Sequence, residues 1–191
     1  LLIQMKGATI DITNTSNFGT ITSYNDAGNY ELCDIASISS TTITFTSPLI
    51  RTYNSSELVQ LVKVPVYNNV NVTGVLTCLP WNGLTGGVLA FEATGIVTLN
   101  ANIDVSGKGF LGGAKVFGQF ISCAGNLVDF RLPTTSLLSG NKGEGITLSN
   151  SLYTKGLGAL AHGGGAGNDV NGGGAGGGNF GQGGHGGTSK C

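Results

Sequence analysis

Between Gly156 and Gly187 the chain reads GLGALAHGGGAGNDVNGGGAGGGNFGQGGHGG, and about half of those positions are glycine. Glycine gives up more backbone freedom on folding than any other residue, so a run of this kind defaults to a flexible linker. Two features oppose that default. The interruptions are Ala, Asn, Val, Phe and His rather than Ser, Glu and Lys, and the chain closes on Cys191, which can tie the run down. Gly172, Ala175, Gly178, Gly181, Gly184 and Gly187 place a small residue at every third position, the period of a polyproline II-type helix. Extended polyglycine segments of that kind can pack side by side through backbone hydrogen bonds, with the third positions facing inward. Dense glycine also matches many periods by chance, so an ordered bundle and a disordered tail both stand as readings of this stretch.

A chain of 191 residues has room for one large or two small domains with a buried core. Only 10% of its residues are charged, well below the quarter usual in soluble domains. With 9 basic and 10 acidic residues the net charge is -1, which supplies no electrostatic footprint for nucleic acid or an anionic membrane. Thr, Ser, Asn and Gly take the place of charge, a composition that leans toward an extracellular all-β protein. No apolar run approaches the roughly 20 residues of a membrane span, and no signal peptide is visible. The start at Leu1-Leu2-Ile3-Gln4-Met5, inside an apparent strand, suggests a processed or truncated piece whose export signal lies elsewhere.

Cys33, Cys78, Cys123 and Cys191 lack CxxC spacing, and two histidines give little support for zinc. In an exported chain two disulfides are the better reading. Of the three connectivities, Cys33 with Cys78 and Cys123 with Cys191 keep each pair within one compositional half. Closing the loop from Cys123 to Cys191 would stabilise by about 4 kcal/mol on the chain-entropy view.

Up to Cys78, runs such as LLIQM, YELCDIASI, TITFT, LVQLVKVPVY and VNVTGVLT have strand length and β-branched content, with Asn-, Ser- and Gly-rich punctuation between them. No window carries a sustained 3.6-residue apolar repeat, so almost no α-helix is expected. Residues 1–79 therefore read as a small barrel- or sandwich-like unit. TTITFT alternates threonine with apolar residues, as in a strand with one wet face. Pro80-Trp81-Asn82-Gly83 marks a boundary, and Trp81 reads as a structural residue sealing the joint. Residues 80–191 read as a glycine-rich unit of stacked short strands, β-helix-like, passing into polyglycine II-type helices. Val97, Leu99, Ala101, Ile103 and Val105 alternate with Thr98, Asn100, Asn102 and Asp104, which predicts one apolar and one polar strand face.

Catalysis needs convergent titratable groups, and few are available. His162 and His185 sit in the glycine-rich run, where polar interruption is the plainer reading. The carboxylates Asp11, Asp26, Glu31, Asp34, Glu57, Glu92, Asp104, Asp129, Glu144 and Asp169 form no recognisable acid/base motif. Gly172-x-Gly174-x-x-Gly177 satisfies GxGxxG but lacks the strand-to-helix context a dinucleotide site requires. Asn25 to Asn29 and Gly167-Asn168-Asp169 look like loose calcium loops without the alternating Asp ladder, and read as Asx turns. Asn14, Asn54 and Asn71 open glycosylation sequons. Tyr24, Tyr30, Tyr53, Tyr67 and Trp81 are candidates for a sugar-binding face, against a plainer role in strand packing. No catalytic, cofactor-binding or metal-ligating residue is assigned.

LLIQMKGATID, the Asp26 to Glu31 segment DAGNYE, VQLVKVPVY, PWNGLTGGVLAFEATGIVTLNANIDVSGKGFLGGA, NKGEGI and GALAHGGGAGNDVNGGGAGGGNFGQGG together resemble a module of very large Bacteroidota surface proteins, the SprB-like gliding-motility adhesins. PWNG-x-TGGVLA and DVSGKGFxGGA carry the resemblance most specifically. It implies an exported, non-enzymatic adhesin segment, delivered to the outer cell surface by type IX secretion as part of a longer parent chain. Cys33 and Cys78 stand where the resemblance implies other residues, which favours the second bridge over the first. The expected function is adhesion or scaffolding through broad, multivalent contact with polysaccharide or abiotic surfaces, without nucleic acid or membrane insertion. A carbohydrate-active β-helix enzyme and an ice- or crystal-binding protein are the alternatives.

Overall fold

The computed structural model describes residues 1–116, 127–169, 171–178 and 181–188. The protein is all-β, with no helix among the described residues and several small sheets. It has no closed barrel, which corrects the barrel expected for residues 1–79: its strands are two to five residues long and join in twos and threes, too short and too few to close.

Two compact units form. The first comprises Leu1–Met5 and Gly28–Gly109, and the second Lys6–Ala27 and Phe110–Cys191. The compositional break at Pro80 falls inside the first unit. Its antiparallel sheet places β1 (Leu2–Gln4) between β4 (Tyr30–Glu31) and β7 (Val59–Leu61), with Ile3 opposite both Tyr30 and Gln60. Fully buried Gln4 is satisfied: its Oε1 accepts from the Asn54 N–H and its Nε2 donates to Glu57. β5 (Ile35–Ser39) and β6 (Thr42–Phe45) make a hairpin whose Ile38–Ile43 pair is exposed, so the expected single wet face of TTITFT is instead solvated on both sides apart from Phe45.

The same unit holds a parallel ladder. β8 (Val66–Tyr67) pairs with β10 (Glu92–Ala93), β9 (Val70–Val72) pairs with β11 (Val97–Leu99), and Leu76 bridges Ile103. Val70 stands opposite Val97 and Asn71 opposite Thr98, and Asn100 Nδ2 donates to Asn71 Oδ1 at 2.8 Å. Parallel strands need a long crossover. The Pro80 to Gly87 turn lies within that crossover. Trp81 is 2% exposed and its backbone N–H donates to the Lys108 carbonyl. Of the apolar row from Val97 to Val105, Val97 and Leu99 lie in β11 and Ile103 in the bridge to Leu76, and Val97, Leu99, Ile103 and Val105 remain about half exposed.

In the second unit β2 (Thr9–Ile10) and β3 (Ile21–Ser23) pair antiparallel, and Ile10, Phe18, Leu160 and Ala161 form the core with Ile21, Phe130, Ile146 and Tyr153 against it. Phe18 meets Tyr153 edge to face, at 5.7 Å between centroids. Gly158 lies so close to Phe18 that a β-carbon there would be 2.4 Å from the ring.

The glycine-rich residues of this unit are ordered segments held by backbone hydrogen bonds. The 161–168 segment bonds to three neighbours. Its carbonyls at Gly164 and Gly167 accept from Gly143 and Gly140, and those at His162 and Gly165 accept from Gly178 and Ala175. Its N–H groups at Gly165 and Asn168 donate to Gly184 and Gly187. A strand in a sheet has two neighbours in one plane; here each neighbour is met every third residue, as a three-residue-per-turn extended helix requires. Burial follows the same period. Gly172, Ala175 and Gly178 are the less exposed positions of 171–178, as the sequence predicts. In 181–188 the inward positions are Gly183 and Gly186, while Gly181 is open with nothing within 4 Å of a β-carbon, so the predicted phase through Gly181, Gly184 and Gly187 shifts.

Candidate functional site

The second unit contains a polar cleft of about 230 Å³. Its floor is built by 141–147, a stretch bonded on several sides. Lys142 donates its backbone N–H to Thr154, Gly143 to Gly164 and Glu144 to Leu111, while the Ile146 carbonyl accepts from Gly7 and Ala8 and Thr147 bridges Ala8. The glycines are required: a β-carbon on Gly145 would lie 2.0 Å from the Leu160 carbonyl oxygen. This threading brings Lys6, from the link between β1 and β2, against Glu144.

Lys6 Nζ lies 3.2 Å from Glu144 Oε1 and 5.3 Å from the centroid of Phe110, and only 4% of its side chain is exposed. Glu144 Oε2 accepts from the Leu111 N–H at 3.2 Å. The pair therefore enters the cleft close to neutral. Lys142 is also buried, with its ammonium donating to the carbonyls of Phe130 and Gly158 and lying 3.9 Å from the centre of the Phe18 ring. Burial pulls its pKa down to about 7, against the hold of those acceptors.

Hydroxyls complete the lining. Thr134 Oγ1 lies 2.7 Å from Thr154 Oγ1. Thr147 is 6% exposed and its hydroxyl has no hydrogen-bond partner among the described residues, while exposed Ser149 stands at the margin. Leu160, 4% exposed, borders the cleft from the hydrophobic core. Such a site offers donors and acceptors in fixed positions with little net charge.

Of these residues the sequence brings forward Glu144 alone, as one of ten candidate carboxylates. The available signal was the clustering of Lys142 and Glu144 within NKGEGI in a chain with so few charges, but nothing local announces Lys6 as their neighbour. Two of the four cysteines are placed otherwise than expected. Cys33 and Cys78 are separate free thiols, so the bridge between them is corrected; the Cys33 Sγ instead contacts the Glu31 carbonyl at 3.8 Å. Cys123 and Cys191 lie outside the described residues.

His162 tilts against Tyr24 and His185 meets the edge of Phe130, each in its own aromatic contact. Among the described residues no group of three His, Cys, Asp or Glu side chains could hold a metal. Asn168 is fully buried, its Nδ2 donating to the Leu127 and Asp129 carbonyls, and its Oδ1 has no partner. Asn14, the first sequon asparagine, is engaged with Asp129, Phe130 and Arg131. Of the aromatic candidates, Trp81 is buried and the Tyr53 hydroxyl donates to Glu31, whereas Tyr24, Tyr30 and Tyr67 are exposed. No helix among the described residues is long and apolar enough to cross a membrane.

Comparison with protein-family models, curated proteins and solved structures finds no match to this chain.

Proposed function

We propose that this chain is a non-enzymatic attachment and scaffolding module of a large bacterial surface protein, exported by type IX secretion and displayed outside the cell, as in gliding-motility adhesins. The observation that carries the reading is the 161–168 segment, hydrogen-bonded to three neighbours through its backbone. A framework built this way is stiff without relying on large side chains, and at its exposed Gly173, Gly174, Gly176 and Gly177 the backbone N–H groups have no partner among the described residues. With a net charge of -1 it has no long-range repulsion or attraction to select a partner by sign. Contact with polysaccharide or an abiotic surface is then short-ranged and individually weak, and becomes firm through repetition along a fibre. The resemblance of PWNG-x-TGGVLA and DVSGKGFxGGA to such modules supports the same reading.

The test is retention under flow of beads displaying the module, on agarose, cellulose and glass. Dense arrays hold on at least one surface and sparse ones do not. Equal release of dense arrays and of beads carrying a scrambled sequence contradicts the proposal.

A further inference from the structure

We infer that the cleft over 141–147 holds a single hexopyranose residue of a surface polysaccharide, an inference that rests on the attachment reading and gives it a specific subsite. Size sets the first limit. Pockets for drug-sized ligands run to about 300–1,000 Å³, and this one, at about 230 Å³, takes a single ring.

Chemistry sets the second. An anion such as phosphate would need an uncommitted cation, but Lys6 is paired with Glu144 and the Lys142 ammonium is turned onto the Phe130 and Gly158 carbonyls. An apolar ligand would need apolar walls, and Leu160 is the sole hydrocarbon side chain in a lining of hydroxyls, amide and charged groups. What matches is a small ring carrying several hydroxyls. Glu144 accepts from sugar hydroxyls, and the threonines donate and accept.

Thr147 adds a hydroxyl without a protein partner. The residue is 6% exposed and lines the cleft, and its hydroxyl has no partner among the described residues and meets solvent there. A bound sugar hydroxyl takes the place of that solvent. Valine has the same shape, so Thr147→Val removes the interaction without opening a cavity.

The experiment is an NMR titration of the whole chain with the methyl glycosides of glucose, galactose, mannose and N-acetylglucosamine. At least one of them shifts the amides of Thr134, Thr147 and Thr154 with a dissociation constant of order 1 mM. Thr147→Val weakens it about tenfold. Ser149→Phe, at an exposed rim position that the fold does not depend on, blocks it, and serves as the probe if Thr147→Val misfolds. Shifts by none of the glycosides, or shifts indifferent to both substitutions, overturn the inference. Beads that still adhere when no glycoside binds would remove this subsite and leave the attachment reading standing; glycoside binding in the cleft without bead adhesion would do the reverse.

Discussion

Gly186 approaches Ala166 so closely that a β-carbon on Gly186 would sit 1.7 Å from the Ala166 carbonyl oxygen. The obstacle is backbone, which has no side-chain end to swing away. Gly186→Ala is expected to destabilise by at least about 1–3 kcal/mol, as overpacking does elsewhere. Gly173, in contrast, has nothing within 4 Å of its missing β-carbon and lies outside the left-handed region. Gly173→Ala should therefore stabilise by about 0.4–1 kcal/mol, through the unfolded chain. Urea unfolding of the two variants checks the pair, and equal effects would contradict the packed arrangement.

Lys142 gives the second unit an unusual pH dependence. Burial lowers its folded-state pKa from 10.5 to about 7. Below pH 7 the protonated lysine is buried at full cost; between pH 7 and 10.5 the unfolded chain binds the extra proton, so stability rises with pH. The thermal midpoint should increase from pH 7 to pH 9, and Lys142→Met should flatten that rise. An unchanged slope in the variant would assign the effect to another group.

Glu31 acts in the same direction in the first unit, but in the acid range. Its carboxylate accepts from the N–H groups of Ile50 and Arg51 and from the Tyr53 hydroxyl. The Ile50 hydrogen bond foremost holds its pKa below the ordinary 4.5, and burial together with that carboxylate pushes Tyr53 up to about 12. The stabilisation is present above pH 4.5 and is lost as pH falls through the lowered value. Glu31→Gln should remove part of the acid sensitivity, read as the change in unfolding midpoint between pH 6 and pH 3.

Cys33 and Cys78 should both accept iodoacetamide in native protein without prior reduction, as mass spectrometry of the labelled peptides would record. Burial raises the Cys33 thiol pKa, so its labelling accelerates as pH is raised from 7 to 9. Recovery of a Cys33–Cys78 linked peptide would contradict the fold of the first unit.

Absence of helix was readable because no 3.6-residue period competes with the strand runs. The inward phase at Gly172, Ala175 and Gly178 was readable too, since a three-residue helix repeats its environment at that interval. The phase at Gly183 and Gly186 was not, because each segment takes its rotation from its own neighbours rather than from a continuous helix. Pro80 lies within the first compact unit: turn chemistry marks a reversal of the chain but cannot say whether the next strand returns to the same ladder. The cleft was the least legible part. Lys6 and Glu144 are joined by tertiary threading, and Thr147 resembles every other threonine until its burial is known.

Amide hydrogen exchange across 161–188 tests the ordered glycine framework most directly. The N–H groups of Gly165, Ala175, Gly178, Gly183 and Gly186 are bonded to neighbouring segments, whereas those of Gly173, Gly174, Gly176 and Gly177 have no partner among the described residues. Slow exchange at the first set and fast exchange at the second, with the protected amides of 171–178 three residues apart, is the predicted result. Uniformly fast exchange throughout 161–188 would contradict the framework, and with it the attachment function and the sugar subsite built upon it.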